Sequence, residues 1–108
     1  MKIAEITEEM IHYNAGDLLR IAHALKVHAY AEAMGELERL DTDTLAILRL
    51  SAILHDIGIH ESERKYASAA GNYQQIEGPP IAEEMLKKIG TPPDVIGRVC
   101  YLIAHHHT

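Results

Sequence analysis

Asp43 to Gly58 reads DTLAILRLSAILHDIG. Its apolar residues, Leu45, Ile47, Leu48, Leu50, Ile53, Leu54 and Ile57, point in nearly every direction around a helix. The stretch is therefore expected to be a helix buried on most sides. Thr42 or Asp43 caps its start, and Gly58 suits its end. His55 and Asp56 stand at the end of this apolar rod. A carboxylate and an imidazole in such surroundings are costly unless something compensates them. A metal ion is one compensation, because neutral imidazole and carboxylate are both good ligands.

Upstream, Ile3 to Tyr13 is expected to form a short first helix, with Glu5, Glu8 and Glu9 toward its positive end. Asn14-Ala15-Gly16 breaks it, and Asp17 caps a second helix running to about Leu40. Leu19, His23, Val27, Tyr30, Met34 and Leu37 are spaced by three or four, so they share one face. His23 thus falls inside an apolar stripe. His28 lies on a more polar side with Glu32 and reads as a surface histidine. Gly35 costs about 1 kcal/mol against Ala within a helix and permits a close helix contact.

Downstream, Ile59 to Glu77 is the least regular part, with one short helix around Glu63 to Ala69. It reads as a loop-like insertion bordering a site. Glu61, Glu63 and Glu77 are expected in solvent. Gly78-Pro79-Pro80 opens a fourth helix, since proline is tolerated in a first turn. Ile81, Met85, Leu86 and Ile89 form its apolar edge, and Gly90 ends it. Thr91-Pro92-Pro93-Asp94 is a capping-box-like start for a fifth helix. That helix carries Val95, Ile96, Val99, Leu102 and Ile103. His106 continues this apolar face, and His105 falls to one side. There is no strand-like alternation of useful length, no repeat and no linker. The expected fold is all-α, a compact bundle of about five helices forming a single domain over residues 1–108.

Composition narrows the function. The formal net charge is −6 over 108 residues, and no basic patch is evident. Broad binding to nucleic-acid duplexes or to anionic membranes is therefore not expected. The single cysteine, Cys100, allows no internal disulfide framework and fits a reducing compartment. It reads as a small buried hydrophobe rather than a nucleophile. No apolar run is long enough to span a membrane, and the start MKIAEITEEM is no signal peptide. A cytoplasmic protein is expected. The apolar residues of the first helix leave room for a homodimer without compelling one.

Three places put histidine or aspartate into apolar helical faces: His23, His55-Asp56 and His105-His106. A lone histidine on such a face is more often a packed core residue than a ligand. An aspartate at a helix C-terminus, however, faces the wrong end of the helix dipole, which tips the His55-Asp56 pair toward ligation. Adjacent helical residues point about 100° apart, so both reach one ion only near a helix end. Gly58 supplies that end. The metal site is then expected between packed helices, as bundle cores build them.

His23-Ala24-Leu25-Lys26-Val27, followed some thirty residues later by His55-Asp56-Ile57-Gly58, resembles the HD-domain metal-dependent phosphohydrolases. The resemblance covers the chain from about Asp17 onward. It implies a helical protein binding divalent metal and hydrolysing phosphoesters of nucleotides or related molecules. His23 becomes the first metal ligand and His55 and Asp56 the second and third, holding one ion. Mn, Fe, Ni, Co, Zn and Mg are not distinguished. Asp56 also takes a proton from the attacking water, and Lys65, ahead of Arg64 and Lys26, neutralises phosphate charge.

Two departures from the family pattern matter. The family's metal set is usually completed by an Asp on a later helix, and the sequence stops at Thr108 with nothing remaining to supply it. Either the sequence is a fragment, or the site lacks that ligand, or His105 or His106 lines the site in its place. Gln74 stands before Gly78 where members with two metal ions often carry a histidine. The expected function is a metal-dependent phosphohydrolase acting on a small phosphorylated molecule, with a nucleotide first in line. The alternative is a catalytically degenerate module that binds metal or nucleotide in a regulatory role.

Overall fold

The computed structural model describes residues 2–68 and 70–105. The described residues form helices and no strands: α1 (Lys2–Tyr13), α2 (Leu18–Leu37), α3 (Thr42–Leu54), α4 (Ile59–Tyr66), α5 (Gly71–Lys88) and α6 (Pro93–His105). The all-α expectation holds. Helix α3 is central, packing on α1, α2 and α6, while α5 packs on α6, α4 and α1. The core is aliphatic, as a chain without Trp or Phe requires. Ile6, Met10, Ile53, Leu54, Ile57, Leu86, Val99 and Ile103 are fully buried in it.

Side-chain caps set the starts of α2 and α3. Asp17 begins α2 by accepting the Arg20 N–H at 3.1 Å, as expected. Helix α3 is capped one residue earlier than expected. Asp41 accepts the Thr44 N–H at 2.8 Å and the Thr44 hydroxyl at 2.9 Å, so Thr42 and Asp43 lie within the first turn. Burial of α3 is graded: Leu50 to Leu54 are buried, and Leu45 to Arg49 only partly so. At the other end of the chain, α6 starts at Pro93 without the expected capping box. The Thr91 hydroxyl is buried there with no hydrogen-bond partner.

Three further expectations are corrected. The Ile59–Glu77 segment is not a loop-like insertion. It is α4 followed by the first part of α5, and the short helix starts at Ile59 rather than Glu63. Helix α5 does not open at Gly78-Pro79-Pro80; it begins at Gly71 and runs through both prolines. Each proline removes a helical N–H, leaving the carbonyls of Gln75 and Ile76 without their usual donors. Packing overrides that cost. A Cβ on Gly78 would lie 3.1 Å from Ile103 Cγ2, so this part of α5 is held tightly against α6.

The third correction concerns α2. Its expected buried stripe is largely outside: Leu19 is 84% exposed, Leu37 82%, Met34 64% and Tyr30 62%. The core side is built from small residues instead, Ala24 and Gly35. A Cβ on Gly35 would meet Leu45 Cδ1 at 2.6 Å and Leu48 Cδ2 at 3.3 Å, so a side chain there would force those leucine ends to shift. Every side of α2 carries aliphatic residues, so spacing alone did not single out the packed face.

Candidate metal centre

Helix α3 ends at Leu54, and the chain then turns through His55–Gly58 before α4. Two backbone bonds hold the turn: the Ile57 N–H donates to the Leu54 carbonyl, and the Ile59 N–H to the Asp56 carbonyl, each at 3.1 Å. This is the helix end that two adjacent ligands require. Gly58 is demanded by packing and not by its own backbone, whose φ is −83°. A Cβ there would stand 2.7 Å from the Gly78 nitrogen and 2.9 Å from its Cα. The turn that carries His55 and Asp56 therefore rests directly on the backbone of α5.

His23 comes from α2 and meets the turn. His55 Nε2 lies 2.9 Å from Asp56 Oδ2, His23 Nε2 lies 3.3 Å from the same oxygen, and the two Nε2 atoms are 3.3 Å apart. Among the described residues, these three form the one group of His, Cys, Asp or Glu whose ligand atoms converge this way. His55 and Asp56 are largely buried, while the His23 side chain is half exposed and leaves the group open to solvent on that side.

The protonation of His55 makes the cluster informative. Its Nδ1 lies 2.7 Å from the Ala52 carbonyl, which can only accept, so Nδ1 carries the proton. In the neutral ring, Nε2 then presents a lone pair toward Asp56 and His23, the orientation that backbone carbonyls impose on metal-ligating histidines. A proton on His23 Nε2 or a cation between these atoms would keep their lone pairs from facing one another. Burial lowers the His55 pKa, but the hydrogen bond to Asp56, the Asp56 charge and the Ala52 carbonyl outweigh it and hold it above the ordinary value.

The donor set fits a divalent ion. Metal bonds of about 2.0–2.2 Å to histidine nitrogen and carboxylate oxygen, at angles between octahedral and tetrahedral, would place neighbouring ligand atoms roughly 2.8–3.6 Å apart. The observed triangle has edges of that size. Held by two imidazoles and one carboxylate, an ion would keep further positions for water or substrate.

A family model described as HD domain matches residues 20–108. The chain belongs to the HD-domain family. No curated protein and no solved structure matches it. HD domains form a superfamily of metal-dependent phosphohydrolases that bind divalent metal and act on phosphorylated substrates. In this HD domain the triangle of His23, His55 and Asp56 is the group that could hold the metal. No helix among the described residues is long and apolar enough to cross a membrane.

The remaining expected site residues are not part of the triangle. Lys65 projects from α4 to Glu77 of α5, with Nζ 3.1 Å from Oε1. Tyr66 donates its hydroxyl to the other oxygen of the same carboxylate at 2.9 Å and stacks on Tyr73. Arg64 pairs with Glu61 on the surface. His105 is exposed, with its ring against Tyr101. His106 lies outside the described residues. Gln74 is buried in α5, and its backbone carbonyl faces Gly58.

Sequence reasoning missed three features. Glu77, expected in solvent, is buried, and the Lys65 and Tyr66 hydrogen bonds hold its carboxyl below the usual range. No local pattern marks it, because its partners lie on another helix. His60 was not singled out. Its Nε2 lies 3.1 Å from Asp17 Oδ2, tying the start of α4 to the residue that caps α2. His28 is likewise more engaged than a surface histidine, accepting from Arg49 Nε at 3.4 Å, while Arg49 also pairs with Glu32.

Proposed function

We propose that this HD domain holds one divalent ion on His23, His55 and Asp56 and hydrolyses a phosphoester of a small molecule, a nucleotide being the class the family resemblance implies. The observation that carries the reading is the triangle of ligand atoms, 2.9–3.3 Å on its edges, with the His55 lone pair turned into it. When bound, the ion polarises a phosphoryl oxygen and makes a water molecule acidic enough to attack near neutral pH. Asp56 is the carboxylate in the site and the group we assign to accept the proton of the attacking water. Ala52 fixes the His55 tautomer, and the Gly58–Gly78 contact fixes the turn. The half-exposed His23 leaves a side from which a phosphate can enter.

Lys65 is the cation we assign to phosphate charge. Its ammonium group is shared with Glu77, and its pKa is raised by that carboxylate, so it stays charged over the working range. Lys65→Ala should raise KM or lower kcat; unchanged kinetics would remove it from the site. We also propose a cytoplasmic placement, on the ground that a single cysteine fits a reducing compartment.

A regulatory, non-catalytic role is the second reading. Gln74, buried where relatives with two ions carry a histidine, favours it. Tag-free protein assayed against phosphomonoesters and nucleotides with Mn²⁺, Ni²⁺, Co²⁺ or Mg²⁺ separates the two. Metal-dependent release of phosphate that is lost in Asp56→Asn supports the enzyme. No turnover by metal-loaded protein supports the regulatory module.

A further inference from the structure

The metal ligands do not stand alone at the surface. A cleft of about 250 Å³ opens beside them, between α2, α3 and α6. Leu48, Ala52 and His55 follow one another up one face of α3, spaced by three or four, so His55 stands at the end of the row. Val27 and Ala31 line the opposite wall, one and two turns beyond His23 on α2, and Leu102 supplies the third side. The cleft thus starts at His55, the one member of the triangle that lines it, and runs away from it along two helices. Its lining is almost wholly apolar. The one hydroxyl there, on Ser51, already donates to the Ile47 carbonyl at 2.7 Å.

We infer that this cleft receives the ester group of the substrate and selects an apolar one, a short alkyl or a single aryl group. The inference rests on the phosphoester reading above but replaces the nucleotide implied by the family resemblance with an apolar ester. Beyond His55, the surface next to a phosphoryl group held at the triangle is a wall of Val, Ala and Leu. On that surface the Ser51 oxygen is the one side-chain acceptor and no side-chain donor is free, so most heteroatoms of a sugar or base would go unpaired, at a cost of roughly ten-fold or more each. The cleft is also smaller than the roughly 300–1,000 Å³ typical of pockets for larger ligands. In hydrolysis the P–O ester bond breaks, the oxygen of water joins phosphorus, and the ester oxygen takes a proton and leaves as the alcohol. An apolar alcohol is the product that such a cleft would shed, and each buried methylene favours binding by about four-fold.

Alkylphosphonates test this without turnover. Methyl- to hexylphosphonate are titrated into the Zn²⁺-loaded protein, with adenosine monophosphate for comparison, and read by calorimetry and by methyl NMR of Val27, Leu48 and Leu102. Affinity is expected to rise about four-fold per methylene over the first carbons, with all three methyl groups shifting. Ala31→Leu, which fills the cleft, is expected to flatten the series. Ala29→Leu, on the exposed side of α2, is expected to leave it intact. Flat affinities across the series, or adenosine monophosphate binding more tightly than hexylphosphonate, would overturn the inference and leave the phosphoester reading standing. A third arm uses 1-hexanol on metal-free protein. Shifts at the same methyl groups support apolar occupancy independently of the metal, and their absence overturns it. Phosphonates that bind at no chain length, while hexanol still shifts those methyl groups, would overturn the phosphoester reading and the ester-group assignment with it.

Discussion

His55 does two jobs with one ring. Nδ1 is committed to Ala52, so Nε2 is the atom available to the site, and the neighbouring Asp56 raises its basicity. Reading this from sequence was possible because the pair sits at the end of a long apolar run, where an uncompensated acid has no good explanation. Glu77 was illegible for the opposite reason. Its burial depends on Lys65 and Tyr66 arriving from α4, and nothing within four residues of Glu77 records that. His28 offers a separate test at this scale. Burial, then the Arg49 charge, pull its pKa below the ordinary 6.5, with Glu32 acting the other way. The folded chain thus binds this proton less readily than the unfolded chain. Stability from His28 is complete above about 6.5 and is lost as pH falls through the lower folded value. Urea midpoints should fall more steeply from pH 7 toward acid for the wild type than for His28→Gln, and parallel curves would remove His28 from the account.

Among the elements, the turn between α3 and α4 matters most, because it carries two ligands and rests on α5. Gly58→Ala pushes a Cβ into the backbone of Gly78, and backbone cannot move aside as a side-chain end can. The substitution should destabilise the protein by about 3 kcal/mol, seen as a lower urea midpoint, and should weaken metal binding through the displaced turn. Wild-type stability in Gly58→Ala would mean that the two helices are less closely packed than the structure has them. The helix-level reading succeeded where a cap or a breaker is local, as at Asp17 and Asn14-Ala15-Gly16. It failed at Pro79-Pro80, because the packing of Gly78 against Ile103 and Gly58 outweighs the missing amides. It also failed for the face of α2, where aliphatic residues on all sides hide a seam made of Ala24 and Gly35.

For the whole molecule, a bound ion would tie α2 to the end of α3, two elements otherwise joined by packing and by the His28–Arg49–Glu32 contacts. A ligand that binds only the folded state stabilises it by about 2.7 kcal/mol at a hundred times its Kd. For a domain of this size that is a rise in Tm of roughly 10 °C or more. Excess Mn²⁺ or Zn²⁺ is therefore expected to raise Tm, and a chelator to return it; a Tm indifferent to both would mean that no ion joins the helices. The all-α architecture was legible because the chain offers long helical periods and no alternation. The open α2 face was not, since a stripe of apolar residues reads the same whether or not anything covers it.

Metal stoichiometry tests the central claim most directly. The protein is prepared without a tag, with His105→Ala, His106→Ala and His107→Ala combined so that the terminal run contributes nothing. One equivalent of divalent ion should bind, and His23→Ala, His55→Ala and Asp56→Ala should each abolish it while helical content is retained. An equivalent that survives all three substitutions, or no bound ion in the parent protein, would contradict the account.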